Sequence, residues 1–343
     1  MPKYGSIDSS HLHGFNVKRL ISFHQKWRSF MSKKTVVFIF LVTALIITSC
    51  SSQTVETINR KVNPMDLSSF PAQAPVNQVH LLFIHHSTGG QLLADAGNEV
   101  GKDCIYASHP NGGGLRGLLA RNNYIVHEAS YGSIIGDKTD ICHWNAKFRD
   151  HMSKILACNQ QDSLYSDGTR NRIVVFKSCF PNNMLISDGS DPGDPDACDR
   201  TLANAQAAYR AILHFFERNP ETLFVAFTVP PLVKPILYRK GRLIERLKVI
   251  TGRPDTLDKI GRRARLFNNW LKDAEQGWLR GYALKNVVVF DYYDILTGHG
   301  RSDWSVYPSG AGQDSHPNRD GNAKAAEEFV PFLNRAWHRF NQE

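Results

Sequence analysis

Val79-His80-Leu81-Leu82-Phe83-Ile84-His85-His86-Ser87-Thr88-Gly89-Gly90 is the stretch from which the fold is read. Val79 to His85 is an apolar run with strand character, and it stops at two hydroxyls and two glycines. A serine at a strand-to-helix turn can expose its hydroxyl, and backbone N–H groups at the helix start can face a developing oxyanion. The plainer alternative is a serine that caps a helix beside glycines that only make the turn. His85 and His86 are adjacent, and neighbours on a strand point to opposite faces, so they do not share one ion. No His-Glu-x-x-His motif accompanies them, and no metal or other cofactor is expected.

Outward from this stretch, strands and helices alternate. Gly112 to Asn122 is helix-like, and Tyr124 to His127 is a second short strand. Arg172 to Phe176 is a third strand, followed by helical spacing over Leu202 to Arg218. Thr222 to Val229, closed by Pro230-Pro231, is a fourth strand. Ala264 to Leu279 reads as a helix, Val287 to Phe290 as a fifth strand and Ala323 to Trp337 as a last helix. Short apolar runs alternating with helices predict an α/β fold, a single three-layer α/β/α domain around a central parallel sheet. Sites in such sheets lie at the carboxyl ends of the strands.

Loops at those ends carry the chemistry. The second strand leads into Ser130-Tyr131-Gly132-Ser133-Ile134-Ile135-Gly136, and the third into Lys177-Ser178-Cys179-Phe180-Pro181-Asn182-Asn183. A glycine N–H and an asparagine amide are both suitable oxyanion donors. Gln313-Asp314-Ser315-His316-Pro317-Asn318 precedes the last helix. A carboxylate two residues before a histidine can orient the imidazole, which then takes a proton from a nucleophile.

In this order the residues resemble the SGNH (GDSL-like) hydrolases, over most of residues 79 to 335. That family places serine after the first strand, glycine after the second, asparagine after the third and an Asp/His pair before the last helix. The resemblance implies an SGNH, flavodoxin-like fold. It implies Ser87 as nucleophile, His316 as general base and then acid, and Asp314 as the group that orients His316. The Ser87 N–H, Gly132 and Asn182 would form the oxyanion hole, with Gly136 and Asn183 as alternatives on the same loops. This chain departs from the family at three places. His85-His86-Ser87 stands for Gly-Asp-Ser, Gln313 stands where Asp-x-x-His has its acid, and Phe180-Pro181-Asn182-Asn183 stands for Gly-x-Asn-Asp.

The amino-terminal part has another purpose. Thr35 to Thr48, flanked by Lys33-Lys34, is an apolar run of 14 residues. About 20 are needed to span a bilayer, so it reads as the core of a signal peptide over residues 1–49. Met31-Ser32-Lys33-Lys34 would be an ordinary start, and translation is expected to begin at Met31, with residues 1–30 not translated. Ile47-Thr48-Ser49-Cys50 resembles the lipobox of bacterial lipoproteins, which implies lipidation of Cys50. Residues 50–78 then read as a lipidated tether to a domain over 79–343. The expected place is the bacterial cell envelope, on the outer membrane facing the periplasm in a Gram-negative cell.

The chain carries a net charge of +9, of which residues 1–49 hold +6, leaving +3 for the rest. The basic character is thus mostly a leader property, and no nucleic-acid partner is expected. Residues 234–265 are net +8 and read as a basic helical insertion that could face lipid phosphates or an anionic polymer. Asp188 to Asp196 is an acidic turn-rich loop without EF-hand spacing. Five cysteines follow Cys50, so at least one thiol is unpaired within the chain. The expected function is a membrane-anchored serine esterase acting through an acyl-serine on an acyl ester, such as an O-acetyl group on a polysaccharide. The alternative is a catalytically silent module of this fold that binds envelope glycan or lipid.

Overall fold

The structure is a computed structural model that describes residues 62–234 and 255–342. Its centre is a parallel sheet of β1 (Val79–Ile84), β2 (Tyr124–Ala129), β3 (Ile173–Phe176), β4 (Leu223–Phe227) and β5 (Val287–Phe290). The strand order is β2-β1-β3-β4-β5, the flavodoxin-like order. Every residue of β3 and β4 is buried. That explains their unbroken apolar sequence: both faces of the sheet are covered.

One face packs against α1 (Ser87–Leu93), α2 (Leu115–Arg121), α6 (Tyr292–Leu296) and α7 (Arg319–Asn341). The other face packs against α3 (Trp144–Ala157), α4 (Leu202–Glu217) and α5 (Asp255–Lys272). The chain is therefore a three-layer α/β/α domain, as the strand pattern predicts. The order reverses between β1 and β3, because α1 leaves β1 on one face and α4 leaves β3 on the other. That crevice is where such folds bind ligands.

Three boundaries differ from expectation. The predicted helix over Ala264 to Leu279 ends at Lys272, because Asp273 Oδ1 accepts the N–H groups of Glu275 and Gln276, both at 3.0 Å. Such a local turn competes with helix continuation. No element is predicted over α3, although Trp144, Phe148 and Ile155 share one face at helical spacing and are fully buried. The expected tether over 50–78 is not all tether: the domain begins at Val62. Leu67 is buried in the core beside Met65 and Phe70, and Arg335 donates to the carbonyls of Ser68 and Phe70. Sparse apolar side chains in a polar stretch hid that packing.

Of the basic stretch 234–265, residues 235–254 lie outside the described residues, and 255–265 open α5. The signal peptide and Cys50 also lie outside them. Among the described residues, no helix is long and apolar enough to cross a membrane.

Cys142 and Cys198 form a disulfide across 56 residues of chain, joining the approach to α3 to the loop before α4. Closing a loop of that length restricts the unfolded chain. Reduction in urea should lower stability by about 2–5 kcal/mol. An unchanged unfolding midpoint after verified reduction would show that the bridge adds nothing.

Candidate active site

Ser87 is the first residue of α1, directly beyond the end of β1. His86 is the extended cap residue before it. Gly89 lets the helix sit close: a Cβ there would come within 2.4 Å of His85 Cβ. The two histidines go to different partners, as alternation along a strand requires. His85 is fully buried, and its Nε2 lies 2.9 Å from Glu128 Oε2. Glu128 Oε1 takes Arg116 at 2.6 Å. Burial pushes the Glu128 carboxyl up, but its bonds to His85 and the charge of Arg116 outweigh that and hold it below its ordinary value.

His86 Nε2 donates to the Gly136 carbonyl at 2.8 Å, and its ring stacks on Tyr131 at 3.6 Å. Burial pulls its pKa down to about 4. In the unfolded chain this ring protonates near pH 6.5. Because the folded value is the lower one, its contribution is complete above about pH 6.5 and is lost as pH falls towards 4. Urea midpoints should therefore decline over that window, and His86→Asn should flatten the decline. An equal slope in both proteins would assign it to other groups.

His316 sits on the short strand Asp314–Pro317, which pairs with Pro308–Ser309 and leads into α7. Asp314 Oδ1 accepts the His316 backbone N–H at 3.1 Å and faces His316 Nδ1 at 2.7 Å. A carboxylate at Nδ1 selects the Nδ1–H tautomer and leaves Nε2 as the acceptor. Burial raises the Asp314 carboxyl, but the His316 backbone and ring bonds prevail and hold it below its ordinary range. The family's acid position, Gln313, is exposed. Asp291 and Asp294 are tied up elsewhere: both pair with the buried Lys272, and Asp294 also pairs with Arg265.

The sheet brings these groups to one edge. Helix α1 packs against the Asp314–Pro317 strand. Phe180, on the loop after β3, sets its ring against His316 at 4.9 Å between centroids. The residue before it, Cys179, lies with Sγ 3.4 Å from Ser87 Oγ. Among the described residues, no hydrogen bond joins Ser87 to His316; the serine hydroxyl is paired with Cys179 instead.

The expected oxyanion donors are committed to the scaffold. Asn182 Nδ2 donates to Asp140 Oδ1 at 2.8 Å and to the Cys179 carbonyl at 3.2 Å, while its Oδ1 accepts the Ile141 N–H. Both amide hydrogens are used, so Asn182 braces the loop. Asn183 likewise donates to the Val229 and Pro230 carbonyls. The Gly132 N–H donates to Asp137 Oδ1 at 2.9 Å, and the Gly136 N–H to Ser133 Oγ at 2.9 Å. The remaining expected donor is the Ser87 N–H, whose interaction with the Cys104 thiol offsets part of the rise that burial causes there. Sequence reading missed Cys104 and Cys179. Cys179 is 92 positions from Ser87, and only the strand order brings them together.

No protein-family model matches this chain, and no curated protein does. Among solved structures, one similar chain is a carbohydrate esterase whose active site is described as having divergent catalytic and non-catalytic binding functions. It is 13% identical with a TM-score of 0.33, and the alignment covers 76% of this chain and 65% of that one. This chain thus spans just under two thirds of that protein's length. Another is a carbohydrate esterase family 2 enzyme with a carbohydrate-binding domain, from Corynascus thermopiles (Myceliophthora fergusii). It is 14% identical with a TM-score of 0.33, and 77% and 67% of the two chains are covered. Similarity of that extent leaves function to be read from the site itself.

Proposed function

We propose that this protein is a serine esterase of SGNH type. The observation that carries the reading is the Asp314–His316 pair: a carboxylate on Nδ1, Nε2 left as base, on a strand packed against the helix that begins with Ser87. Ser87 Oγ would attack the ester carbonyl carbon as His316 Nε2 takes its proton. His316 would return that proton to the leaving alcohol, and water would then release the acyl group by the same steps. A rotation of the Ser87 side chain from Cys179 towards His316 precedes attack. Catalytic hydrogen bonds commonly tighten only with substrate in place.

The Ser87 N–H is the oxyanion donor that this reading keeps, with Cys104 Sγ moving aside. Gly132 and Asn182 serve as oxyanion donors only if their loops rearrange, since their donors hold those loops together. The substrate we propose is an acyl ester such as an O-acetyl group on a polysaccharide, reached by an exported chain anchored through lipidated Cys50. The whole-protein activity, its substrate and its placement at the bacterial envelope are parts of this proposal.

The committed amides and the Ser87–Cys179 contact favour a second reading, a silent module that binds glycan or lipid. Hydrolysis of p-nitrophenyl acetate by the purified domain separates the two. Turnover that disappears in Ser87→Ala supports the esterase. Wild-type protein that cleaves no ester, yet retains glycan or vesicle binding, supports the module.

A further inference from the structure

Four reactive groups surround Ser87, and the proposed hydrolysis uses none of them: Thr88, Cys104, Lys177 and Cys179. Lys177 directly follows β3 and has no exposed surface. Its Nζ has Cys179 Sγ at 3.4 Å, and among the described residues no carboxylate pairs with it. An isolated ammonium is costly to bury without a counter-charge, and burial lowers the Lys177 pKa while the Cys179 sulfur opposes that shift. The acid set against it is the Cys179 thiol. Ser87 Oγ at 3.4 Å and Thr88 Oγ1 at 3.8 Å add hydroxyls around the same sulfur. Cys179 as a residue is partly exposed, with its Sγ packed among Lys177, Ser87 and Thr88. Burial pushes the thiol up, but the charge of Lys177 and the hydroxyl bonds outweigh it, with a net lowering. The other free thiols differ. Burial raises Cys104, and it pushes Cys158 up to about 12.

We propose that Cys179 is a covalent-modification site for small disulfides: a thiolate held by the buried Lys177 ammonium, whose mixed disulfide occupies the space beside Ser87. The Cys179 sulfur attacks one sulfur of the disulfide. A new S–S bond forms, the old one breaks, and the second half leaves as a thiolate. Cys179 is oxidised, the reagent is reduced, and no further oxidant is needed. The adduct would displace the Ser87 hydroxyl from Cys179 and press on Phe180, the next residue, which lies against His316. The site itself does not depend on the esterase reading; the blocking of Ser87 rests on it.

The probe is glutathione disulfide, applied to the whole domain with the Cys142–Cys198 bridge intact, with each cysteine peptide followed by mass spectrometry. Cys179 should gain the glutathionyl group at least about 10-fold faster than Cys158 at pH 7, since rate follows thiolate fraction. Its rate should rise less steeply from pH 7 to 9 than an ordinary thiol's. An ordinary thiol would instead rise about 10-fold per unit below its pKa of about 8.5. Lys177→Met should slow Cys179 by about 10-fold at pH 7. If that variant does not fold, the wild-type pH profile decides alone. Modified protein should lose labelling of Ser87 by a fluorophosphonate, and a reductant should restore it. A Cys179 rate that climbs like an ordinary thiol's, or that does not exceed Cys158's, overturns the site. A fully modified protein that still labels at Ser87 overturns the blocking. Unmodified wild type that never labels at Ser87 overturns the esterase reading instead, while the pH profile still judges the thiolate.

Discussion

Ser87→Ala should lower turnover of p-nitrophenyl acetate by about 10⁴–10⁶-fold, with folding intact by circular dichroism and urea midpoint. The hydroxyl is the atom that would bond to the acyl carbon, and no neighbour replaces it in place. Cys179 Sγ is a neighbouring nucleophile, 3.4 Å from Ser87 Oγ, and a Ser87→Ala/Cys179→Ser double variant separates any turnover of its own from that of Ser87. The substitution removes one small side chain at a helix start, and His86, not Ser87, is the cap residue. The stability cost should therefore stay below about 1 kcal/mol. Retention of full activity by a folded Ser87→Ala protein would remove Ser87 as nucleophile. It would direct attention to Cys179.

Asp314→Asn should reduce turnover by about 10⁴-fold, because an amide can present the wrong group to Nδ1 and favour the wrong imidazole tautomer. The carboxylate accepts both the ring and the backbone N–H of His316, so it fixes position as well as tautomer. Asp314 lies one residue closer to the histidine than the family's acid, yet it reaches the ring at 2.7 Å. Rescue by another acid is disfavoured. Asp291 and Asp294 neutralise Lys272, which has 8% of its side chain exposed, and cannot leave it without stranding a buried charge. A nearly silent Asp314→Asn beside an inactive Ser87→Ala would reduce the site to a Ser–His dyad.

The sheet was legible because β3 and β4 are apolar at every position and are bounded by turn residues. Their burial on both faces is what that pattern encodes. Ser87 and Asp314 each begin an element and His316 follows Asp314 by two residues, so their placement could be read from the sequence; the roles proposed for them rest on residue type and local spacing. The Asn182 reading rests on residue type and on its place after the third strand. An amide is a good donor for an oxyanion, and it is equally good for Asp140 and a backbone carbonyl; only three-dimensional partners distinguish those uses. The Cys179–Ser87 and Lys177–Cys179 contacts were illegible for a different reason. The first spans 92 residues of chain, and the second depends on Lys177 turning inward from the end of a fully buried strand. The packing of Met65, Leu67 and Phe70 was hidden by the polar, proline-dotted sequence around them.

The most direct measurement is the site of covalent capture by a fluorophosphonate, an acyl-transition-state mimic that reacts with activated serines. The purified domain is incubated with the probe, digested and mapped by mass spectrometry, with Ser87→Ala and His316→Ala in parallel. Our account predicts one adduct in wild type, on Ser87, absent from Ser87→Ala and slowed by orders of magnitude in His316→Ala. A protein that hydrolyses ester while its adduct falls on another residue would contradict it, as would equal labelling of Ser87 with and without the His316 imidazole.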